Sequence, residues 1–249
     1  AWYLLEFVTG INRTMYYLKM QEAILPEQEE LYRKYVDERA SHIPLQHITG
    51  VQEFMGLEFC VNEHVLVPRQ DTEVLVESAL EVLESGMDIL DMCTGSGCIL
   101  ISLMKHCPGI TGVGIDVSEE ALKVAKKNCE KLGVKVEFVQ SDLFANVSGR
   151  YDVIVSNPPY IPLSEQETMH INVTHHEPHI ALFVEDNNPL LFYRAIARAA
   201  RVLLSKDGYL MFEIHSPLSI ECAEMLQEEG YTHIEIMPVS ESGVKNDFS

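Results

Sequence analysis

Asp88-Ile89-Leu90-Asp91-Met92-Cys93-Thr94-Gly95-Ser96-Gly97-Cys98-Ile99-Leu100 reads as an apolar strand, a turn of small residues and the opening of an apolar helix. Glycines at such a crossing let the backbone approach a ligand closely, and the helix N-terminus behind them favours polar or anionic groups. About twenty residues later, Gly112-Val113-Gly114-Ile115-Asp116 is a second strand ending in a carboxylate, which can accept both hydroxyls of a ribose. A third strand, Lys135-Val136-Glu137-Phe138-Val139-Gln140, runs into Ser141-Asp142-Leu143-Phe144, where a carboxylate and a ring can bracket an adenine. One glycine-rich turn is weak evidence; its order with the acids on successive strand ends is much stronger.

The alternation continues outward. Strands are expected at 88–92, 110–116, 134–140, 151–156, 208–214 and 231–237, with helices at 71–84, 97–107, 118–132, 189–204 and 217–229. Strands alternating with helices of this length call for a mostly parallel, twisted sheet covered on both faces, with ligands beyond the carboxyl ends of the strands. Ahead of it, 2–19 and 26–40 read as helices, with Pro26 and the acids behind it suiting a helix start. Residues 45–67 read as a β-hairpin or extended linker closed by strand-like Val65-Leu66-Val67. The expected organisation is a helical module over 1–44, a hairpin linker over 45–70 and a catalytic domain over 71–249.

The fourth strand, Tyr151-Asp152-Val153-Ile154-Val155-Ser156, runs into Asn157-Pro158-Pro159-Tyr160. Two prolines stop a strand because neither has an N–H for a ladder. Asn157 is thereby held at the strand end on a rigid turn. Its side-chain oxygen and the Pro158 carbonyl are two acceptors that can grip the hydrogens of a planar –NH2, with Tyr160 packing on the group that carries it. A strand that merely ends in a proline-rich turn is the plainer alternative.

Together these segments resemble a class I S-adenosylmethionine-dependent methyltransferase with a Rossmann-like fold. Asn-Pro-Pro-Tyr narrows the resemblance to enzymes that methylate planar nitrogen. Pro44-Leu45-Gln46-His47-Ile48-Thr49-Gly50, Glu53-Phe54, Val67-Pro68-Arg69-Gln70-Asp71-Thr72-Glu73, Glu177-Pro178 and Ala181-Leu182 are similar to segments of the peptide chain release factor glutamine methyltransferases. The resemblance runs from about Trp2 to about Glu241, and the linker is its most specific part. It implies that Cys93, Thr94, Gly95, Ser96, Gly97, Asp116, Asp142, Leu143, Phe144 and Asn157 hold S-adenosylmethionine. It implies that Asn157 and Pro158 are catalytic, and that Pro159 and Tyr160 bind substrate with them. The expected product is a methylated glutamine in the Gly-Gly-Gln motif of a bacterial or organellar release factor.

Departures from the family pattern are few. Cys93 stands where glycine is usual, a variant tolerated at negative φ and strained at positive φ. Gln70 replaces a common proline. The resemblance also implies that Ala1 begins inside the helical module and that the last strand of a terminal hairpin should follow Ser240-Glu241-Ser242-Gly243, for which the chain stops too soon at Ser249.

Composition fits a domain of this kind. The 249 residues are 47% hydrophobic, which is enough for a sizeable core. No apolar run reaches a membrane-spanning length, and the start lacks the basic and apolar pattern of a signal peptide. Six cysteines without a Cys-x-x-Cys pair suit reduced thiols in the cytoplasm. Eighteen basic against thirty-eight acidic residues leave a formal charge of −20. Phosphate binding relies on basic patches, so direct nucleic-acid binding is not expected, whereas a basic protein partner would be attracted. A monomer is expected.

Three features stay open at this level. His170, His175, His176 and His179 could suggest a metal, but no carboxylate or thiolate completes a recognisable spacing, and a polar loop over the site is favoured. Glu213 ends its strand near the site, either orienting something or simply paired. Arg69 with Asp71, Thr72 and Glu73 reads equally as a helix N-cap network, with Asp71 or Thr72 as cap, or as a lid edge. Two other functional classes compete: a nucleic-acid amino-group methyltransferase, which shares the Asn-Pro-Pro-Tyr device, and a scaffold that has lost activity.

Overall fold

Gly10 breaks the first expected helix in two. In the computed structural model, which describes residues 1–238, α1 (Trp2–Thr9) ends where Gly10 turns left-handed at φ 68° and its N–H donates to the Glu6 carbonyl. α2 (Arg13–Lys19) restarts on Asn12, whose side-chain oxygen accepts the Met15 N–H at 3.0 Å. The reading of 2–19 as one helix is therefore corrected by glycine's freedom at a C-cap and asparagine's at an N-cap. α3 (Pro26–Ala40) begins on proline with Glu27 and Glu29 in its first turn, and α1 packs on it.

The linker is a short helix followed by a hairpin. α4 (Leu45–Thr49) leads into antiparallel β1 (Val51–Phe54) and β2 (Leu57–Cys60). Met55 and Gly56 turn between them at φ 51° and 69°, the left-handed pair that matches strand twist. Phe54 and Phe59 are buried edge-to-face with centroids 6.1 Å apart, which fastens the hairpin to the main core. The expected strand at 65–67 does not form. Val65 and Val67 are buried, but the Val67 N–H donates to the Glu177 carboxylate rather than to a neighbouring strand.

α5 (Asp71–Val82) opens the main domain. β3 (Asp88–Met92), α6 (Cys98–His106), β4 (Thr111–Asp116), α7 (Glu119–Leu132), β5 (Glu137–Gln140) and β6 (Tyr151–Ser156) follow. After a crossing segment containing β7 (Ile161–Pro162), α8 (Ile171–His176) and β8 (Phe183–Val184), the chain makes α9 (Leu191–Leu203), β9 (Leu204–Phe212) and α10 (Ser219–Glu228). The main sheet has five strands in the order β5-β4-β3-β6-β9, and every neighbouring pair is parallel.

Both faces of the sheet are apolar and both are covered. Ile89, Val153 and Val155 pack with Val76 and Ala79 of α5 and Leu100 and Leu103 of α6. Leu90, Met92, Ile115 and Ile154 face Ile196, Ala200 and Leu203 of α9. β3 lies in the middle, with β4 and β5 to one side and β6 and β9 to the other. The chain reverses direction across the sheet there, and the carboxyl ends of β3, β4 and β6 open a crevice.

The far end needs one correction. The expected strand at 231–237 is irregular chain: the Tyr231 hydroxyl donates to the Ala197 carbonyl and Arg201 lies 5.8 Å from its ring. A strand needs a ladder partner, and the return strand anticipated after Ser240-Glu241-Ser242-Gly243 lies outside the described residues.

Candidate active site

At the strand ends a cavity of about 320 Å³ is walled by Cys93, Thr94, Gly95 and Ser96 after β3, by Asp116 ending β4, by Asp142 and Leu143 after β5, and by Asn157 and Pro159 after β6. Gly97, Phe144, Pro158 and Tyr160, also expected at the site, are not among its walls. The volume suits a small organic ligand. The sequence segments read as binding elements thus meet in one place.

The loop after β3 is built by backbone and side-chain hydrogen bonds. The Thr94 N–H donates to the Ile115 carbonyl and the Gly97 N–H to the Thr94 carbonyl, at 2.9 and 2.8 Å. Asp116 takes the Gly95 N–H on one carboxylate oxygen and the Ser118 N–H on the other, each at 2.9 Å. Each oxygen keeps lone-pair capacity for a further donor. Gly97 has φ 78°, and a Cβ there would lie 2.9 Å from Ile101 Cδ1, so only glycine fits without movement. Cys93 takes φ 61°, the strained alternative for a residue with a side chain. Burial pushes the thiols of Cys93 and Cys98 up to about 12, so neither is a thiolate at neutral pH.

Two polar residues behind the loop had no motif to announce them. Asp91 is fully buried, accepts the Thr94 hydroxyl at 2.5 Å on one oxygen, and has no partner for the other. Its carboxyl is raised to about 7, chiefly by burial, with the Thr94 hydrogen bond opposing. Burial also raises Asp116, against the backbone N–H groups of Ser118 and Gly95. Asn128 of α7 donates to the Ser96 and Cys60 carbonyls at 2.9 and 3.0 Å and accepts the Cys60 N–H at 2.7 Å. It ties the hairpin to the loop. An asparagine inside a Lys-rich helix carries no such signal in sequence; only its burial reveals it.

On the other side of the cavity, the Ser156 hydroxyl donates to the Met92 carbonyl at 2.6 Å and fixes the end of β6 against β3. The Asn157 side-chain nitrogen points to the Thr72 hydroxyl at 3.4 Å. Tyr160 is turned away from the cavity. Its hydroxyl donates to Glu213 at 2.9 Å, and its ring stacks on His215 at 5.8 Å. A buried carboxylate thus holds the hydroxyl of the residue expected to pack on the substrate group.

The crossing segment closes over this turn. The Tyr160 and Ile161 N–H groups both donate to the Leu182 carbonyl, and Pro178, Ile180 and Ala181 line the cavity. Arg69 settles as an edge of the cavity rather than as part of a cap. Its guanidinium donates at 2.5 Å to Glu177, which is buried, whereas the first turn of α5 has no side-chain cap. Glu73 instead accepts the Met55 N–H at 2.6 Å. The linker and the crossing segment are therefore joined at one buried carboxylate.

Among the described residues no three His, Cys, Asp or Glu side chains gather as metal ligands. His170 accepts the Asn172 N–H, His175 meets the Thr174 hydroxyl, and His179 meets the Thr174 carbonyl. No described helix is long and apolar enough to cross a membrane.

The family described as methyltransferase small domain matches residues 70–177, and the family described as PrmC N-terminal domain matches residues 1–50. The release factor glutamine methyltransferase of Flavobacterium psychrophilum is 44% identical over 76% of this chain and 68% of its own. That of Chlorobaculum tepidum is 40% identical over 90% of this chain and 80% of its own. Among solved structures, a methyltransferase from Pyrococcus furiosus superposes with a TM-score of 0.55 at 17% identity, covering 86% of this chain and 93% of its own. That last likeness concerns the fold.

Proposed function

Because the chain belongs to the release factor glutamine methyltransferase family, we propose that it methylates the side-chain amide nitrogen of the Gly-Gly-Gln glutamine in a peptide chain release factor. The observation that carries this is the juxtaposition of Asn157, on its proline-locked turn, with the loop 93–96 and Asp116 across one cavity.

The cavity fits S-adenosylmethionine by its chemistry. Asp116 is pinned by two backbone amides, as a ribose-binding carboxylate should be, and Gly97 lets the loop that lines the cavity pack closely against Ile101 and Ala125. Thr94, Gly95 and Ser96 would hold its polar tail, Asp116 its ribose, and Asp142 and Leu143 its adenine. Bound there, the cofactor supplies an activated methyl group.

The protein's own part is position and electrostatics. An amide nitrogen is a poor nucleophile because its lone pair is delocalised. The Asn157 side-chain oxygen and the Pro158 carbonyl would accept its two N–H groups, aim the lone pair and stabilise the positive charge that builds on nitrogen. No strong base is required beforehand, since the proton becomes acidic as the N–C bond forms. Neither cavity cysteine competes as a nucleophile, being protonated.

The alternative acceptor, a nucleobase amino group, finds less support. The chain carries a charge of −20, and the relatives are named for release factors. All six cysteines are free thiols, which supports a reducing compartment such as the cytoplasm. Action as a monomer completes the reading.

The test offers S-adenosylmethionine with a labelled methyl group alongside a release factor, its Gly-Gly-Gln glutamine-to-alanine variant, and duplex DNA. Label on the intact factor alone is expected. Label on DNA, or equal label on the alanine variant, would overturn the assignment.

A further inference from the structure

The site described so far leaves one buried acid without a task. Glu213 follows β9 and its N–H donates to the Ser156 carbonyl, which places it beside the residue preceding Asn157. One carboxylate oxygen accepts the Tyr160 hydroxyl at 2.9 Å; the other is buried and has no partner in hydrogen-bonding geometry. Thr72, at the head of the α5 helix that packs on β6 and β9, and Asn157 at the end of β6 both favour the charged form of that carboxylate. Thr72 is itself buried at the head of α5 and lines the cavity. Its hydroxyl oxygen receives the Asn157 side-chain N–H at 3.4 Å.

A hydroxyl has one proton to give. With its oxygen turned to the Asn157 –NH2, the Thr72 proton has an open acceptor in the unpartnered oxygen of Glu213. We infer that Glu213 is a positioning residue for the methyl-acceptor site: acting through the Thr72 hydroxyl, its carboxylate keeps the Asn157 amide nitrogen turned inward and the amide oxygen presented to the cavity. This rests on the proposed function only in saying what that oxygen then holds, an N–H of the substrate glutamine. The orientation itself is a property of the chain alone.

The relay has a direction. Ionised Glu213 accepts from Thr72, and Thr72 accepts from Asn157. Protonated Glu213 donates its O–H to the Thr72 oxygen as a hydrogen bond, and the Thr72 hydroxyl then donates its own to the Asn157 oxygen. In that state the amide is flipped and the oxygen needed by the substrate is occupied. The surroundings bias the balance toward protonation at a higher pH than for an ordinary glutamate. Burial is the first cause and the negative charge of Asp71 on α5 adds to it, while Thr72, Tyr160 and Asn157 oppose. Tyr193 of α9 donates to the Glu213 backbone carbonyl and accepts the His215 N–H, Glu165 holds the His215 ring at 2.9 Å, and the positive charge of Arg69 acts on Tyr160.

The experiment compares the full chain with Thr72→Val, Thr72→Ser and Glu213→Gln. Thr72→Val replaces the hydroxyl by a methyl of like shape and should lower kcat by about tenfold to a hundredfold, the cost of a misplaced acceptor. Thr72→Ser keeps the hydroxyl and should restore most of it, with S-adenosylmethionine affinity by calorimetry within about twofold in each variant. Wild-type kcat should fall on the acid side with a midpoint above the ordinary glutamate range, and Glu213→Gln should lose that limb. Independently of catalysis, the side-chain –NH2 resonances of Asn157, assigned by nuclear magnetic resonance, should titrate with the same midpoint and stay flat in Glu213→Gln. Equal activity of Thr72→Val and wild type, equal damage in both Thr72 variants, or Asn157 resonances indifferent to pH would each overturn the inference. If no release factor is methylated while the Asn157 resonances still follow Glu213, the proposed acceptor is wrong and the positioning role stands.

Discussion

Replacing Gly97 by alanine isolates what the loop after β3 demands. Two costs add. A residue with a Cβ at φ 78° is left-handed, worth roughly 1–2 kcal/mol. The new Cβ would also sit 2.9 Å from Ile101 Cδ1 and 3.3 Å from Ala125 Cβ, inside a packed layer. Relieving such crowding costs about 1–3 kcal/mol. The stiffer unfolded chain returns roughly 0.4–1 kcal/mol, so the net loss is about 1–5 kcal/mol, centred near 3. For a domain of this size that lowers Tm by about 5–10 °C. Gly133 is the control: it is left-handed at φ 68°, but a Cβ there meets nothing within 4 Å. Calorimetric unfolding of both variants separates backbone strain from crowding. Gly97→Ala should lose about 1–3 kcal/mol more than Gly133→Ala. Equal losses would refute the argument that Gly97 is required for close packing of loop and helix.

Other expectations concern single residues. Cys93→Gly should stabilise the fold by up to about 1 kcal/mol in urea unfolding, since relief of φ 61° exceeds the entropy glycine returns to the unfolded chain. A clear loss of stability would mean that thiol packing outweighs the strain. Asn157→Ala should lower kcat by about a hundredfold or more while S-adenosylmethionine binding changes little; activity within a few-fold of wild type would remove Asn157 from the acceptor role. Asp116→Ala should weaken S-adenosylmethionine binding by about tenfold or more in calorimetry, the loss of charge-assisted hydrogen bonds. Unchanged affinity would take the ribose away from Asp116.

Apolar runs bounded by turn residues made the parallel sheet legible, because strands buried on both faces need no alternation to be recognised. What failed in sequence were a segment whose backbone partner lies far away and a local helix break hidden by its surroundings. Val65-Leu66-Val67 has strand-like residues, yet its N–H finds the Glu177 carboxylate across 110 positions. Gly10 and Asn12 carried ordinary cap chemistry, and a longer apolar pattern through 2–19 masked it. The site divides in the same way. Glycines and acids at strand ends announce themselves by order. The direction of the Tyr160 ring, the Arg69–Glu177 pair and the part played by Asn128 depend on burial that no local pattern encodes.

Asp91 shows how such burial becomes a measurable cost. Its unfolded pKa is about 3.9, and burial raises the folded value to about 7. Between those values the folded state binds more protons than the unfolded state, so stability falls as pH rises through this window. The cost is absent below about pH 4 and complete above about pH 7, where it reaches a few kcal/mol. Asp91→Asn cannot ionise. Its amide oxygen can still accept from Thr94, and its –NH2 takes the place of the unpartnered oxygen, a penalty of about 1–3 kcal/mol at every pH. Glu213 is raised as well and tilts both proteins alike, whereas Asp116, coupled to Asp91 by like charge, is relieved in the variant and adds to the difference in the same sense. The informative quantity is therefore the difference between variant and wild type. Measured by urea unfolding, it should move in the variant's favour by a few kcal/mol between pH 5 and pH 8. A difference constant to about 0.5 kcal/mol, well inside the expected linkage effect, would mean that Asp91 is not the acid that titrates. If the shift is seen, a fully buried carboxylate with an open oxygen is being kept beneath the loop at the expense of stability, as expected where a binding site rather than the core dictates the residue.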